Sequence, residues 1–168
     1  MWEIITNIIL GIAILTLVAF LCLGLYQWIK HKDFGKIDPE IAWMTVPIVL
    51  MAITYVVFDK FIILSTRPNG SGEPSFPSTH VMVVATIFFM VTIILPHYIK
   101  NKTTRIVLEV LMVIAISLTC TGRILSDMHS LGDVIGGLVF AFIFSEIYYQ
   151  IIKRSKKNAK RLYKNNKR

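Results

Sequence analysis

The sequence predicts an all-α integral membrane protein, a bundle of about five transmembrane helices with its N-terminus outside and its C-terminus inside. Three observations carry that expectation. The chain is 55% hydrophobic with a mean hydropathy of +0.65, too apolar for a soluble domain, and its 168 residues are too few for several domains. Five apolar runs, approximately residues 4–29, 41–58, 78–95, 106–121 and 134–152, are each near the length a helix needs to span hydrocarbon. The net charge of +8 is distributed unevenly over the connections between them.

The first run reads as an uncleaved span, because "MWEIITNIIL" lacks a basic leader and the apolar stretch is too long for a signal core. The first connection holds Lys30, Lys32 and Lys36, and the third holds Lys100, Lys102 and Arg105. The tail after residue 152 holds nine more basic residues, so fifteen of the eighteen fall on one side. Only Lys60, Arg67 and Arg123 remain for the other. Retention of basic flanks in the cytoplasm then sets the orientation, and an odd number of spans satisfies it. Trp28, Trp43, Tyr98, Tyr148 and Tyr149 fall at the inner interface and Trp2 at the outer one, where amphipathic rings are favoured.

Residues 1–152 form the expected transmembrane domain, and 153–168 a disordered basic cytoplasmic tail. The partner expected for "KRSKKNAKRLYKNNKR" is anionic lipid under the inner leaflet. Nucleic acid is not expected, since the tail follows a span directly and interleaves no aromatic residue but Tyr163. Cys22 and Cys120 lie inside apolar runs near opposite faces, which suits packing and provides no disulfide or metal framework.

The three basic residues that break the charge bias lie in connections rich in chemistry. Residues 59–80 read "DKFIILSTRPNGSGEPSFPSTH", with Lys60 and Arg67 separated by six residues and a Gly- and Pro-punctuated loop following. Ser78 stands where an N-cap for the third span belongs, and the amides of such a helix start bind phosphate readily. Residues 122–137 read "GRILSDMHSLGDVIGG". There His129 and Asp133 are four apart, so on a helical turn the carboxylate reaches one ring nitrogen and leaves the other as a nucleophile.

Taken singly, each of these is explained by interfacial anchoring or a helix start. Their joint order, K-x6-R-P, P-S-x-H and R-x5-H-x3-D on one side of the membrane, is not. The outward carboxylates Asp59, Glu73, Asp127 and Asp133 are scattered without ligand spacing, so no metal or other cofactor is expected, and Asp59 and Asp127 read as local charge balance. Glu109 and Glu146, near the inner ends of their spans, read as packing partners of a cation, and His31 and His97 as solvated. Gly132, Gly136, Gly137 and Ala141 suit close helix packing, within the chain or between copies. The oligomeric state is not legible.

At these blocks the chain resembles the type-2 phosphatidic-acid phosphatase superfamily, closely over residues 60–133 and by hydropathy elsewhere. The resemblance implies Lys60, Arg67, Ser78, Thr79 and Arg123 as phosphate ligands, with Pro68 shaping the turn. It implies His129 as a nucleophile forming a phosphohistidine, Asp133 as the group that orients it, and His80 as acid and base on the opposite side of the phosphoryl group. The family's serine before the third-block arginine is Gly122 here, the small glycine of its second block is Thr79, and its members commonly have six spans.

The function this implies is a metal-independent membrane lipid phosphatase in a bacterial plasma membrane, with its site facing outward. That placement favours a polyprenyl carrier such as undecaprenyl diphosphate. Phosphatidylglycerophosphate and phosphatidate are the alternatives. A non-catalytic lipid-phosphate scaffold is the rival of another class, and the complete set of His80, His129 and Asp133 argues against it.

Overall fold

The computed structural model describes residues 1–165 and is helical throughout. Helix α1 runs Trp2–His31, α2 Pro39–Ala42, α3 Thr45–Val56, α4 Thr79–Tyr98, α5 Lys102–Leu125 and α6 Leu131–Asn165. Among the described residues no strand forms, and an isolated bridge joins Thr66 to Pro74. Five helical segments are long and apolar enough to cross a membrane: α1, Pro39–Phe61, α4, α5 and Leu131–Ala159 of α6.

Helix α4 is the axis of the bundle. Its apolar residues run round every face, the mark of a helix surrounded by protein, and Met82, Val84, Ala85, Met90 and Ile94 are fully buried. Helices α1, α3, α5 and α6 pack about it, with Ala13 of α1 and Tyr148 of α6 completing the main core. The outward residues of α5, such as Val110, Val113 and Ile114, are apolar and exposed, as a lipid-facing surface requires. Between apolar helices in lipid the adhesive force is close packing. Where α6 meets the start of α4 and the loop before it, a Cβ at Gly137 would come within 2.8 Å of the Ser78 carbonyl and one at Gly136 would overlap the Phe76 ring. Gly136 and Gly137 of α6 therefore serve contact within the chain, while Gly132 is exposed.

At the end of the bundle where the basic connections cluster, polar side chains tie the helices together. Asp38 accepts hydrogen bonds from Gln27 Nε2 (2.8 Å) and the Tyr98 hydroxyl (2.7 Å), joining α1, the start of α2 and α4. Buried Glu40 pairs with Lys156 Nζ at 2.6 Å. His97, expected to be solvated, stands 3.8 Å from Asp38 and 3.7 Å from Glu40 because the short helix α2 folds both carboxylates over the end of α4. Glu146 pairs with the Gln150 amide one turn on, rather than with a cation.

The segment after residue 152, expected to be disordered, is helical as far as the described residues go. Helix α6 continues without a break to Asn165, so most of the basic segment is helical, since its lysines and arginines are good helix formers. The last three residues of the expected tail, 166–168, lie outside the described residues.

Candidate active site

At the other end of the bundle, two connections fold onto each other. After α3 the chain makes a π-helical turn, Val57–Phe61, then doubles back in a loop closed by Arg67 N–H to Glu73 O (3.0 Å) and Ser75 N–H to Ser65 O (2.9 Å). Asn69 N–H donates to Asp127 O (3.0 Å), which docks the loop on the α5–α6 connection. Ser78 N–H donates to Asp133 O (2.9 Å), which docks it on α6. Distant blocks of sequence thus become neighbours.

Asp133 occupies the first turn of α6, where its Oδ2 accepts from Ser130 N–H (2.7 Å) while Ser130 Oγ accepts from Asp133 N–H (3.3 Å). This reciprocal pair is a capping box, and it satisfies amides that the helix start would leave without partners. The same carboxylate accepts from Ser65 Oγ (2.7 Å) and from Ser75 Oγ (2.6 Å). Each of these donors helps to offset the cost of removing a carboxylate from water, since Asp133 is only 2% exposed.

The expected direct contact of Asp133 with His129 is replaced by a bridge. His129 precedes the helix, so the four-residue spacing is not helical, and buried Ser75 lies between the two. His129 Nδ1 lies 2.9 Å from the Ser75 carbonyl oxygen and 3.2 Å from Ser75 Oγ. A carbonyl can only accept, so Nδ1 carries the proton and Nε2 keeps its lone pair. That lone pair faces Arg123 Nη2 at 3.5 Å. Burial, then the Arg123 guanidinium, pushes the imidazole's pKa from 6.5 down to about 4, against smaller opposing effects of the Ser75 carbonyl and Asp133. His129 is therefore neutral near pH 7, with its nucleophilic nitrogen set and free of a proton.

Arg67 and Arg123 bring two guanidiniums to this imidazole. Arg67 pairs with Glu73 (2.8 Å) and touches Met128 Sδ (3.6 Å), while Arg123 is only 3% exposed. The Nε atoms of both, and the Ser78 hydroxyl, are buried without a hydrogen-bond partner. Ser78 does stand at the N-cap of α4, but its hydroxyl makes no capping bond. Buried donors left open in this way are what an anion would complete.

A cavity of about 160 Å³ opens beside them, lined by Arg67, Ser75, Thr79 and His129 on its polar side. Tyr55, Phe58 and Phe76 form an aromatic side, with the Phe58 and Phe76 rings edge to face at 5.4 Å. His80 follows Thr79 in the first turn of α4, and Arg123, His129 and Arg67 act on it through space. Its Nε2 lies 2.9 Å from Asn7 Oδ1 of α1.

Of the sequence-identified ligands, Arg67 and Thr79 line this cavity, Ser78 and Arg123 do not, and neither does Lys60. Lys60 is largely exposed on the π-helical turn and pairs with Asp59 at 2.7 Å, while Asp59 itself lines the cavity. Among the described residues no group of three His, Cys, Asp or Glu side chains is set to hold a metal ion. Sequence reasoning missed Ser75, Ser65 and Asn7. For Ser75 a signal existed in its place just ahead of Pro77-Ser78-Thr79-His80, and for Asn7 in its being an amide within an apolar run.

With this geometry in hand, comparison with known proteins adds two findings. The model of the PAP2 superfamily matches residues 57–157, which hold every sequence-identified site residue. The fold resembles the crystal structure of a transmembrane PAP2-type phosphatidylglycerolphosphate phosphatase from Bacillus subtilis, with a TM-score of 0.61 and 16% identity. The match covers 91% of this chain and 77% of that one. No curated protein sequence matches the chain.

Proposed function

We propose, since the chain belongs to the PAP2 superfamily, that it is a metal-independent lipid phosphatase working through a phosphohistidine at the outer face of a bacterial plasma membrane. The observation that carries this reading is the tautomer forced on His129, whose Nδ1–H is held by the Ser75 carbonyl so that the Nε2 lone pair faces buried cations.

In this reading the substrate phosphate enters the cavity and completes the open donors of Arg67, Arg123 and Ser78, with Thr79 at its edge. His129 Nε2 attacks phosphorus and forms the P–N bond as the ester or anhydride P–O bond breaks. The positive charge that develops on the imidazole is offset by Asp133, through the Ser75 hydroxyl. His80 protonates the departing oxygen and then takes a proton from the water that cleaves the P–N bond, returning phosphate and free His129. The guanidiniums stabilise the equatorial oxygens where charge redistributes. Lys60 joins them by leaving Asp59.

Undecaprenyl diphosphate is the substrate we favour, because the charge bias puts this end of the bundle outside, where a spent carrier must be recycled. The Bacillus subtilis neighbour supports phosphatidylglycerophosphate as the second reading. The basic residues at the far end suit anionic lipid of the inner leaflet. The test offers each lipid to purified protein in detergent with EDTA and measures free phosphate. Wild type is expected to release it and His129→Ala to release none. Equal release by the two removes His129 as nucleophile, and no release on any lipid favours a binding scaffold.

A further inference from the structure

Helix α1 lies outside the residues that the family match covers, yet it reaches the site. Between Glu3 and Gln27 it carries no charge and one amide, Asn7, a costly residue for a span unless it has a partner. That partner is His80 Nε2 on α4, 2.9 Å away.

The approach depends on the last turn of α5. A Cβ at Gly122 would come within 2.6 Å of Thr6 Cγ2 and 3.4 Å of the Trp2 ring. Thr6 is fully buried there. Its neighbour Asn7 is carried into reach of His80 by the same contact. The family's serine at this position would occupy the space that Thr6 fills, so the departure at residue 122 and the amide at residue 7 form one arrangement.

We infer that Asn7 is a positioning residue for His80, and that Gly122 is what allows α1 to deliver it. The chemistry suits the task. An amide oxygen accepting the Nε2 proton fixes the ring and leaves Nδ1 to face the leaving oxygen and later the water. Being neutral, it can accept that proton from imidazole and imidazolium alike and favours the cation less than a carboxylate would, so it orients the ring through both halves of an acid–base cycle. His129, which gains positive charge in the reaction, has a carboxylate behind it instead. The other groups that face His80 are Arg67 from the loop, Arg123 from α5 and His129 from the α5–α6 connection, and Glu3 of α1 acts on Arg123.

This inference rests on the reading of His80 as acid and base, and the experiment separates the two. Wild type, Asn7→Ala, Asn7→Asp, Gly122→Ser and His80→Ala are purified, checked by thermal melting in detergent, and assayed for phosphate release from undecaprenyl diphosphate and phosphatidylglycerophosphate across pH. Asn7→Ala is expected to lower kcat by about 10- to 100-fold with little change in KM. Gly122→Ser should do the same by displacing α1. Asn7→Asp should keep more activity than Asn7→Ala and move the limb of the pH profile that belongs to His80 upward, because a carboxylate favours imidazolium. A wild-type kcat and pH profile in Asn7→Ala, or an unmoved limb in Asn7→Asp, overturns the role of Asn7. Loss in Asn7→Ala with none in Gly122→Ser overturns the role of Gly122. Full activity in His80→Ala, or none in wild type, defeats the underlying reading instead.

Discussion

The two ends of this bundle each hold a histidine within a polar cluster, and the clusters are built for opposite purposes. At the basic end His97 stands between Asp38 and Glu40, with Gln27, Tyr98 and Lys156 joined to the same carboxylates. Carboxylates there face a cation or hydrogen-bond donors, and the bonds link α1, α2, α4 and α6. At the other end His129 is closest to a guanidinium, its carboxylate is one serine removed, and buried donors of Arg67, Arg123 and Ser78 have no partner. A polar cluster whose charges answer one another holds helices together. One that gathers like charge and leaves donors open is prepared for an anion.

The sharpest way to break that contrast is to remove each histidine in turn. His129→Ala should lower phosphate release by 10³-fold or more at an unchanged melting temperature, as loss of a nucleophile does. His97→Ala should leave turnover within about twofold and lower the melting temperature by a few degrees, as loss of a partly exposed polar contact does. Equal effects on activity at both ends would dissolve the distinction. Next in size is Ser75→Ala, which removes the bridge to Asp133 but keeps the carbonyl that fixes the tautomer. Its kcat should fall by about 10- to 100-fold, a smaller loss than that of Asp133→Ala.

The pH dependence follows from the about-4 pKa of His129, which lies below its ordinary 6.5. In kcat/KM, the acid limb that belongs to this group should fall only as pH approaches about 4, since the neutral form persists above it. The folded protein binds fewer protons here than the unfolded chain. The stability contribution is therefore full above 6.5 and is lost as pH falls from there through about 4. An acid limb for this group near 6.5 would mean that burial and Arg123 do not act as described. The smallest effect is expected at Asp38, where burial raises the carboxyl pKa but hydrogen bonds from Tyr98 and Gln27, with the charge of His97, bring it below its ordinary value. Its contribution is present above about pH 4 and fades below, so Asp38→Asn should lower thermal stability slightly at neutral pH and make no difference in strong acid.

The five spans were legible because uninterrupted apolar runs of that length have few other uses, and the two loops because their charges defied the general bias. Arg67, Ser78, Thr79, Arg123, His129 and Asp133 could be grouped from motif order, and the structure gathers them. Lys60 could not be oriented, because a π-helical turn changes which way successive side chains point. The bridge through Ser75 was hidden because it depends on how the 62–78 loop closes over α6, a contact without local periodicity. Asn7 was hidden because its meaning depends on an absent side chain more than a hundred residues away, at Gly122. The helical continuation to Asn165 escaped a reading based on hydropathy alone, which marks where a span leaves the lipid and not where its hydrogen bonds stop.

Asp133 closes the first turn of α6 and, through one hydroxyl, backs the His129 imidazole. Capping of the last helix and alignment of that imidazole are consequently completed by the same event. A chain still threading into the bilayer, with its last helix uncapped and the loop undocked, has no aligned imidazole.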